Sequence, residues 1–89
     1  MTQRWRVEFV RSAQRELDKL ASRDRARILG FLEERVARGQ PRRSGHPLTG
    51  QFAGLWSYRV GRFRLIAKIE DAVITVIVVR IGDRREVYR

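Results

Sequence analysis

Leu55-Trp56-Ser57-Tyr58-Arg59-Val60-Gly61-Arg62-Phe63-Arg64-Leu65-Ile66-Ala67-Lys68-Ile69-Glu70 alternates between two kinds of side chain, with one glycine near its middle. Before the glycine, Trp56, Tyr58 and Val60 share one face, and Leu55, Ser57 and Arg59 share the other. After it, Phe63, Leu65, Ala67 and Ile69 stand against Arg64, Ile66 and Lys68. A period of two marks strands with one buried side. The break at Gly61-Arg62 is the length of a tight hairpin turn. Asp71 turns the chain again, and Ala72 to Ile81 is apolar on both faces, the pattern of a strand with neighbours on both sides. That strand is expected to be the central one.

Toward the N-terminus, Trp5, Val7 and Phe9 alternate with Arg6 and Glu8, which predicts a further strand within 4–10. The period then lengthens. Ala13, Leu17 and Leu20 recur at helical spacing, with Ser12 as the expected N-cap. Ser22 is the expected cap of a second helix, and Asp24 lies in its first turn, where the helix dipole favours an anion. Ile28, Leu29, Leu32 and Val36 form its apolar stripe, and Gly39 and Pro41 end it. Gly30 inside that helix costs roughly 1 kcal/mol relative to alanine, and close packing is the expected reason for it. One or two residues join the helices, which makes them an antiparallel hairpin. Residues 38–54, rich in Gly, Pro, Arg and Ser, are expected to be loop, and 86–89 a short strand or ordered tail. The fold class is therefore α+β: an N-terminal strand, an antiparallel two-helix hairpin, then a three- to four-stranded antiparallel sheet, in one domain over residues 1–89. The helices should cover the face that carries Trp56, Tyr58, Val60 and Phe63, and Trp5, Trp56, Tyr58 and Phe63 are read as core.

The 89 residues leave no room for a second domain, and 43% apolar content supports a small core. The chain has no cysteine and one histidine, His46, so a disulfide or thiolate metal site is excluded and neither a metal nor a cofactor is expected. No run approaches the roughly 18 apolar residues of a membrane span, and the N-terminus lacks the apolar core of a signal peptide. A cytoplasmic protein is expected. Twenty basic residues oppose ten acidic ones, for a net charge of +10, and all but Lys19 and Lys68 of the basic residues are arginine. A GC-rich genome would also favour arginine codons, but the field remains. Such a charge attracts polyanions in a salt-dependent way and suits an acidic protein partner.

The basic residues cluster in two places. Arg59 and Arg64 flank the hairpin turn that holds Arg62, and the ending Gly82-Asp83-Arg84-Arg85-Glu86-Val87-Tyr88-Arg89 leaves the neighbouring strand. Guanidinium groups grip phosphate in a fixed fork, and a phenol stacks on a base or handles a proton. Arg59, Arg64, Arg84 and Tyr88 can meet on one basic surface, a place to bind an RNA backbone and to cut it. Ser57, Arg62, Lys68 and Arg85, with Arg42 and Arg43 from the loop, are the candidate RNA contacts. Ser57, Arg59, Arg64 and Lys68 are expected on one exposed face.

The segment Gly54 to Ile66, the ending Ile81 to Arg89 and the order of elements resemble the RelE branch of the RelE/ParE toxin superfamily. The resemblance implies a toxin of a type II toxin–antitoxin pair, which enters the ribosomal A site and cuts mRNA without a metal. In such enzymes the ribose 2′-OH attacks the adjacent phosphate and leaves a 2′,3′-cyclic phosphate. The family's scissile-phosphate arginine matches Arg64. Its leaving-group arginine matches Arg84, and its terminal tyrosine matches Tyr88. Of two basic residues on the preceding strand, one matches Arg59 and the other falls on Ser57, a departure that removes a possible base. Since arginine accepts no proton, the resemblance implies Arg59, Arg64, Arg84 and Tyr88 as the catalytic set, with Tyr88 as the candidate base. Asp83 also departs, standing where many relatives carry a basic residue. The implied partners are a cognate acidic RelB-like antitoxin, the ribosome and mRNA, with no membrane. Two other readings stay open at this level: a ParE-like inhibitor that binds DNA gyrase without catalysis, and a basic RNA-binding module without toxicity.

Overall fold

A computed structural model describes residues 4–85. The alternating stretch forms the hairpin its period implies. Strand β3 (Trp56–Val60) runs antiparallel to β4 (Phe63–Glu70), and Val60 lies opposite Phe63, so Gly61-Arg62 is the whole turn. Gly61 has φ of 60°, a left-handed conformation that side chains resist and glycine accepts. The remaining elements are β1 (Arg6–Phe9), α1 (Arg11–Asp18), α2 (Ser22–Phe31), a π-helical continuation Leu32–Ala37, β2 (His46–Pro47) and β5 (Thr75–Asp83). The sheet has five strands in the order β1-β5-β4-β3-β2.

Two features of that sheet depart from the expected three- to four-stranded antiparallel one. First, β1 pairs parallel to β5, from Arg6 opposite Thr75 to Phe9 opposite Val78, which makes the sheet mixed. Parallel pairing needs a long crossover, and the helices and meander supply it. Second, the region read as loop contains β2, whose His46 and Pro47 lie opposite Ser57 and Trp56. Two residues carry no readable period, and a proline suits an edge because it lacks an N–H to leave unpaired. β5 is an interior strand between β1 and β4, but β4 and not β5 holds the central position expected for it. A 3₁₀ turn (Asp71–Val73) and Ile74 with φ of 48° take up the residues expected to begin β5.

The core lies between the helices and one sheet face. Ala13 and Leu17 of α1 and Ile28, Leu32 and Val36 of the second helical segment pack on Tyr58, Val60, Phe63, Leu65, Ala67, Val76, Val78 and Ile81. Trp5, Val7 and Phe9 are partly buried against the same cluster. Trp56 is a correction: it is only half-buried, and the Arg42 guanidinium lies 5.6 Å from its ring centroid.

The serines expected to cap the helices lie inside them, Ser12 as the second residue of α1 and Ser22 as the first of α2. Val10 and Ala21 hold the N-cap positions, with no side-chain cap. For α1 the sheet does the capping work. The Val10 N–H donates to Val78 O at 3.0 Å while its carbonyl accepts from Gln14 N at 3.0 Å, so the last ladder bond leads directly into the first helical one.

Gly30 does not have the packing role expected of it, since a Cβ built there meets nothing within 4 Å. Leu29, expected in the apolar stripe, is 43% exposed, because Ile28, Leu32 and Val36 form the row that meets the core and Leu29 sits one residue round the helix from it. Gly30→Ala should therefore stabilise the protein by about 0.5–1 kcal/mol through the unfolded chain and the helix propensity of alanine. A urea titration measures this; a destabilised variant would mean that the π-helical continuation depends on the glycine.

Candidate functional site

β4 begins where β5 ends, and that shared end of the sheet gathers the arginines. Arg59 lies opposite Arg64 across the hairpin, Arg64 opposite Gly82, and Phe63 opposite Asp83. The Arg84 N–H donates to Arg62 O at 2.9 Å, which extends the β4–β5 association into the hairpin turn. Directly opposed residues have Cβ atoms about 5 Å apart, so Arg59 neighbours Arg64, although Arg59 itself does not line the hollow that Arg64 enters. Arg62, Arg64, Asp83, Arg84 and Arg85 line one open hollow of about 470 Å³. Arg64 is half-buried in its wall, and Arg62, Arg84 and Arg85 are exposed.

Asp83 is the single acidic group of this lining. Its Oδ1 accepts from Arg85 N at 3.0 Å and lies 3.8 Å from Arg85 Nε. The carboxylate therefore closes the turn after β5 and offsets one of four guanidiniums. Arg62 lies over the Phe63 ring, 5.0 Å from its centroid, and its Nη2 is 3.8 Å from Asp24 Oδ2 on α2.

Glu16 of α1 supports this end of β5. Pairing with β1 stops at Val78. Beyond it, Glu16 Oε1 accepts from Ile81 N at 2.9 Å, and Oε2 lies 3.7 Å from Arg80 Nε. An otherwise exposed strand edge is thereby satisfied two residues before Asp83. No sequence signal marks Glu16, because its partner is a backbone group 65 residues away.

The structure separates other candidates from the hollow. Ser57 is 3% exposed, not on an open face. It lies in mid-sheet between His46 and Ile66, and Ile66 is buried as well, so neighbours fill the space that the alternation assigned to solvent. Lys68 is exposed on β4, roughly 13 Å of strand from Arg64, with its Nζ 2.9 Å from Glu70 Oε1. Arg42 is at the opposite end of the sheet, where it forms a two-pronged pair with Asp71 at 2.9 and 2.7 Å. That pair holds the Asp71 carboxyl below its ordinary range. Arg43 is exposed in the same loop as Arg42. Tyr88 lies outside the described residues.

Tyr58 is the tyrosine among the described residues, and it is a core residue. Its hydroxyl donates to Pro41 O at 2.6 Å, and its ring meets Phe31 edge-on at 5.9 Å. Burial pushes its pKa from 10.0 up to about 12, with Arg42 working the other way. It stays protonated at neutral pH and takes no proton from a substrate. Among the described residues, no three His, Cys, Asp or Glu side chains gather as a metal site requires, and no helix is long and apolar enough to cross a membrane.

A two-helix layer on a five-stranded mixed sheet is a fold this chain shares with solved toxin structures. The chain belongs to the RelE/ParE toxin superfamily. It matches the family described as ParE toxin of the type II toxin–antitoxin system parDE over residues 7–88. Toxin RelG of Mycobacterium tuberculosis is 37% identical over 83 residues, covering 93% of this chain and 94% of that protein. Among solved structures, a chain of the toxin–antitoxin complex RelBE2 of M. tuberculosis is 34% identical with a TM-score of 0.86, covering 97% of this chain and 98% of that one. A variant of the E. coli toxin RelE in the free state shares the fold at 24% identity, with a TM-score of 0.76 over 91% of this chain and 84% of that one. The α+β fold expected from the sequence is the RelE-like fold, with the additional strand described above.

Proposed function

We infer that this toxin is an endoribonuclease that cuts mRNA in the ribosomal A site. The observation that carries the reading is the hollow, in which four arginines from the hairpin turn, β4 and the end of β5 face a single carboxylate. Attack of a ribose 2′-OH on the adjacent phosphate forms a P–O bond to the 2′-oxygen and breaks the bond to the 5′-oxygen. A 2′,3′-cyclic phosphate and a 5′-hydroxyl remain. The 2′-OH proton goes to a base, and the leaving 5′-oxygen takes up a proton. Between these events the phosphorane carries extra negative charge, which positioned guanidiniums stabilise.

Arg64, half-buried in the wall, suits the scissile phosphate. Arg84, fixed through its backbone to the hairpin turn, suits the charge that develops toward the leaving group. Arg59 adds a cation from the adjacent strand, and Arg62 and Arg85 draw the backbone in. The proton at the 2′-OH is assigned to Tyr88, because a phenol whose pKa is lowered by cations is ionised more often at neutral pH and can then accept it. The charge chemistry asks for no metal or cofactor. A net charge of +10 calls for an acidic antitoxin, and the RelBE2 toxin chain was solved in a toxin–antitoxin complex.

The match to the ParE toxin family favours a second reading, inhibition of DNA gyrase by binding alone. The two readings part in paired assays. The cleavage reading expects mRNA to be cut only when 70S ribosomes are present, and gyrase supercoiling to proceed at an unchanged rate. Blocked supercoiling with intact message would put the gyrase reading in its place.

A further inference from the structure

A second hollow opens on the other side of Arg62. It has a volume of about 420 Å³ and is lined by Ala21, Arg23, Asp24, Arg27, Arg62 and Phe63. Arg62 is thus shared with the hollow that holds Arg64 and Arg84. Arg23 and Arg27 are four residues apart on α2 and fall on one helix face. The Arg27 guanidinium reaches across to the hairpin turn, where its Nη1 is 2.8 Å from the position a Cβ at Gly61 would take. Both arginines are exposed, and among the described residues neither pairs with a carboxylate. Asp24 is the one acidic group in this lining, and it holds Arg62 only at 3.8 Å.

We propose that this second hollow is a phosphate seat for RNA backbone, continuous with the cleavage hollow through Arg62. The proposal rests on the nuclease reading for its direction, since a strand lying across the cleavage hollow passes Arg62 into the second one. Three guanidiniums against one carboxylate leave a surplus that a single phosphate does not saturate. The first turn of α2 adds the positive end of a helix dipole. The chemistry recognised is the phosphodiester, whether from the strand being cut or from folded RNA of the ribosome. Asp24 acts as a placeholder that keeps Arg62 oriented until phosphate displaces it.

The test uses the full chain and the double variant R23Q/R27Q. Its control is R6Q/R35Q, which removes the same charge from exposed sites outside both hollows. Binding to 70S ribosomes and to a short single-stranded RNA is measured across a salt series, with cleavage at saturating toxin alongside. For R23Q/R27Q the slope of log K against log salt should become shallower by about 1.4, with ribosome affinity at least about fivefold lower at moderate salt. Cleavage at saturation should stay at the wild-type rate. Loss on both RNAs assigns the seat to the cut strand, and loss on ribosomes alone assigns it to ribosomal RNA. Either result supports the proposal. R23Q/R27Q behaving like R6Q/R35Q overturns it, and so does unchanged RNA binding with weakened antitoxin binding, which would give the surface to the protein partner. If wild-type toxin leaves message intact while R23Q/R27Q still loses ribosome affinity, the nuclease reading fails and the seat stands.

Discussion

Arg64→Ala is expected to slow mRNA cleavage on the ribosome by about 100- to 1,000-fold, the usual effect of removing one positioned donor from a charged transition state. Arg84→Ala should fall in the same range. Both side chains line the hollow, but they do so differently. Arg64 is half-buried on a strand, whereas Arg84 is exposed just past the end of one. Arg64→Lys should therefore recover little, because lysine lacks the planar fork and the wall fixes where the head group can go. Arg84→Lys should recover more, because an exposed ammonium can swing into place. Antitoxin affinity should change by no more than about threefold in each variant, since one charge at a solvent-facing hollow adds little to a broad protein interface. Single-turnover cleavage with programmed ribosomes and a titration with antitoxin measure the two quantities. If both alanine variants cut at the wild-type rate, the hollow is not the reaction centre.

Tyr58→Ala should have the largest effect on stability, a loss of about 3–5 kcal/mol. For a domain this small that is much of a total of about 5–15 kcal/mol. Tyr58 is 0% exposed and joins three parts of the molecule. Its ring packs in the core against Phe31, its hydroxyl holds the loop at Pro41, and its edge fills the space beside Gly45, where a Cβ would come within 2.9 Å of it. Tyr58→Phe keeps the ring and should lose only about 1–2 kcal/mol, the cost of leaving the Pro41 carbonyl without its donor. Urea titrations of the two variants separate packing from the hydrogen bond. Equal losses would mean that the ring contributes nothing beyond its hydroxyl.

The fold was readable wherever a pattern runs long enough to have a period. Residues 55–70 gave the hairpin, its turn and its buried face, because alternation over sixteen positions is hard to satisfy any other way. Where the backbone departs from regular spacing, the reading failed. The segment 32–37 winds as a π-helix, which no residue spacing announces, and Leu29 on the preceding α2 stays at the exposed edge of the apolar stripe. β2 is two residues long, and only its partner β3 makes it a strand. The parallel pairing of β1 with β5 is set by how the helices fold back, which no local residue encodes.

The site was legible in part for a related reason. Arg59, Arg62 and Arg64 are tied together by a two-residue turn, so their proximity follows from the sequence itself. The proximity of Arg84 follows only once β4 and β5 are known to be neighbours in register. Ser57 was misplaced because alternation tells which face a residue is on, not what else fills that face. The pairing of Arg42 with Asp71 at the far end of the sheet leaves no sequence signal, because a free charge and a paired one look alike until the partner is placed. Glu16 and Arg27 act across the fold on a backbone N–H and a bare glycine, partners that leave no mark in either local stretch.

End-group analysis of message recovered from programmed 70S ribosomes tests the central claim most directly. Wild-type toxin should give fragments that end in a 2′,3′-cyclic phosphate at the A-site codon, and Arg64→Ala should give almost none in the same time. Message that stays whole with the wild-type protein, or fragments with some other terminus, would contradict the account.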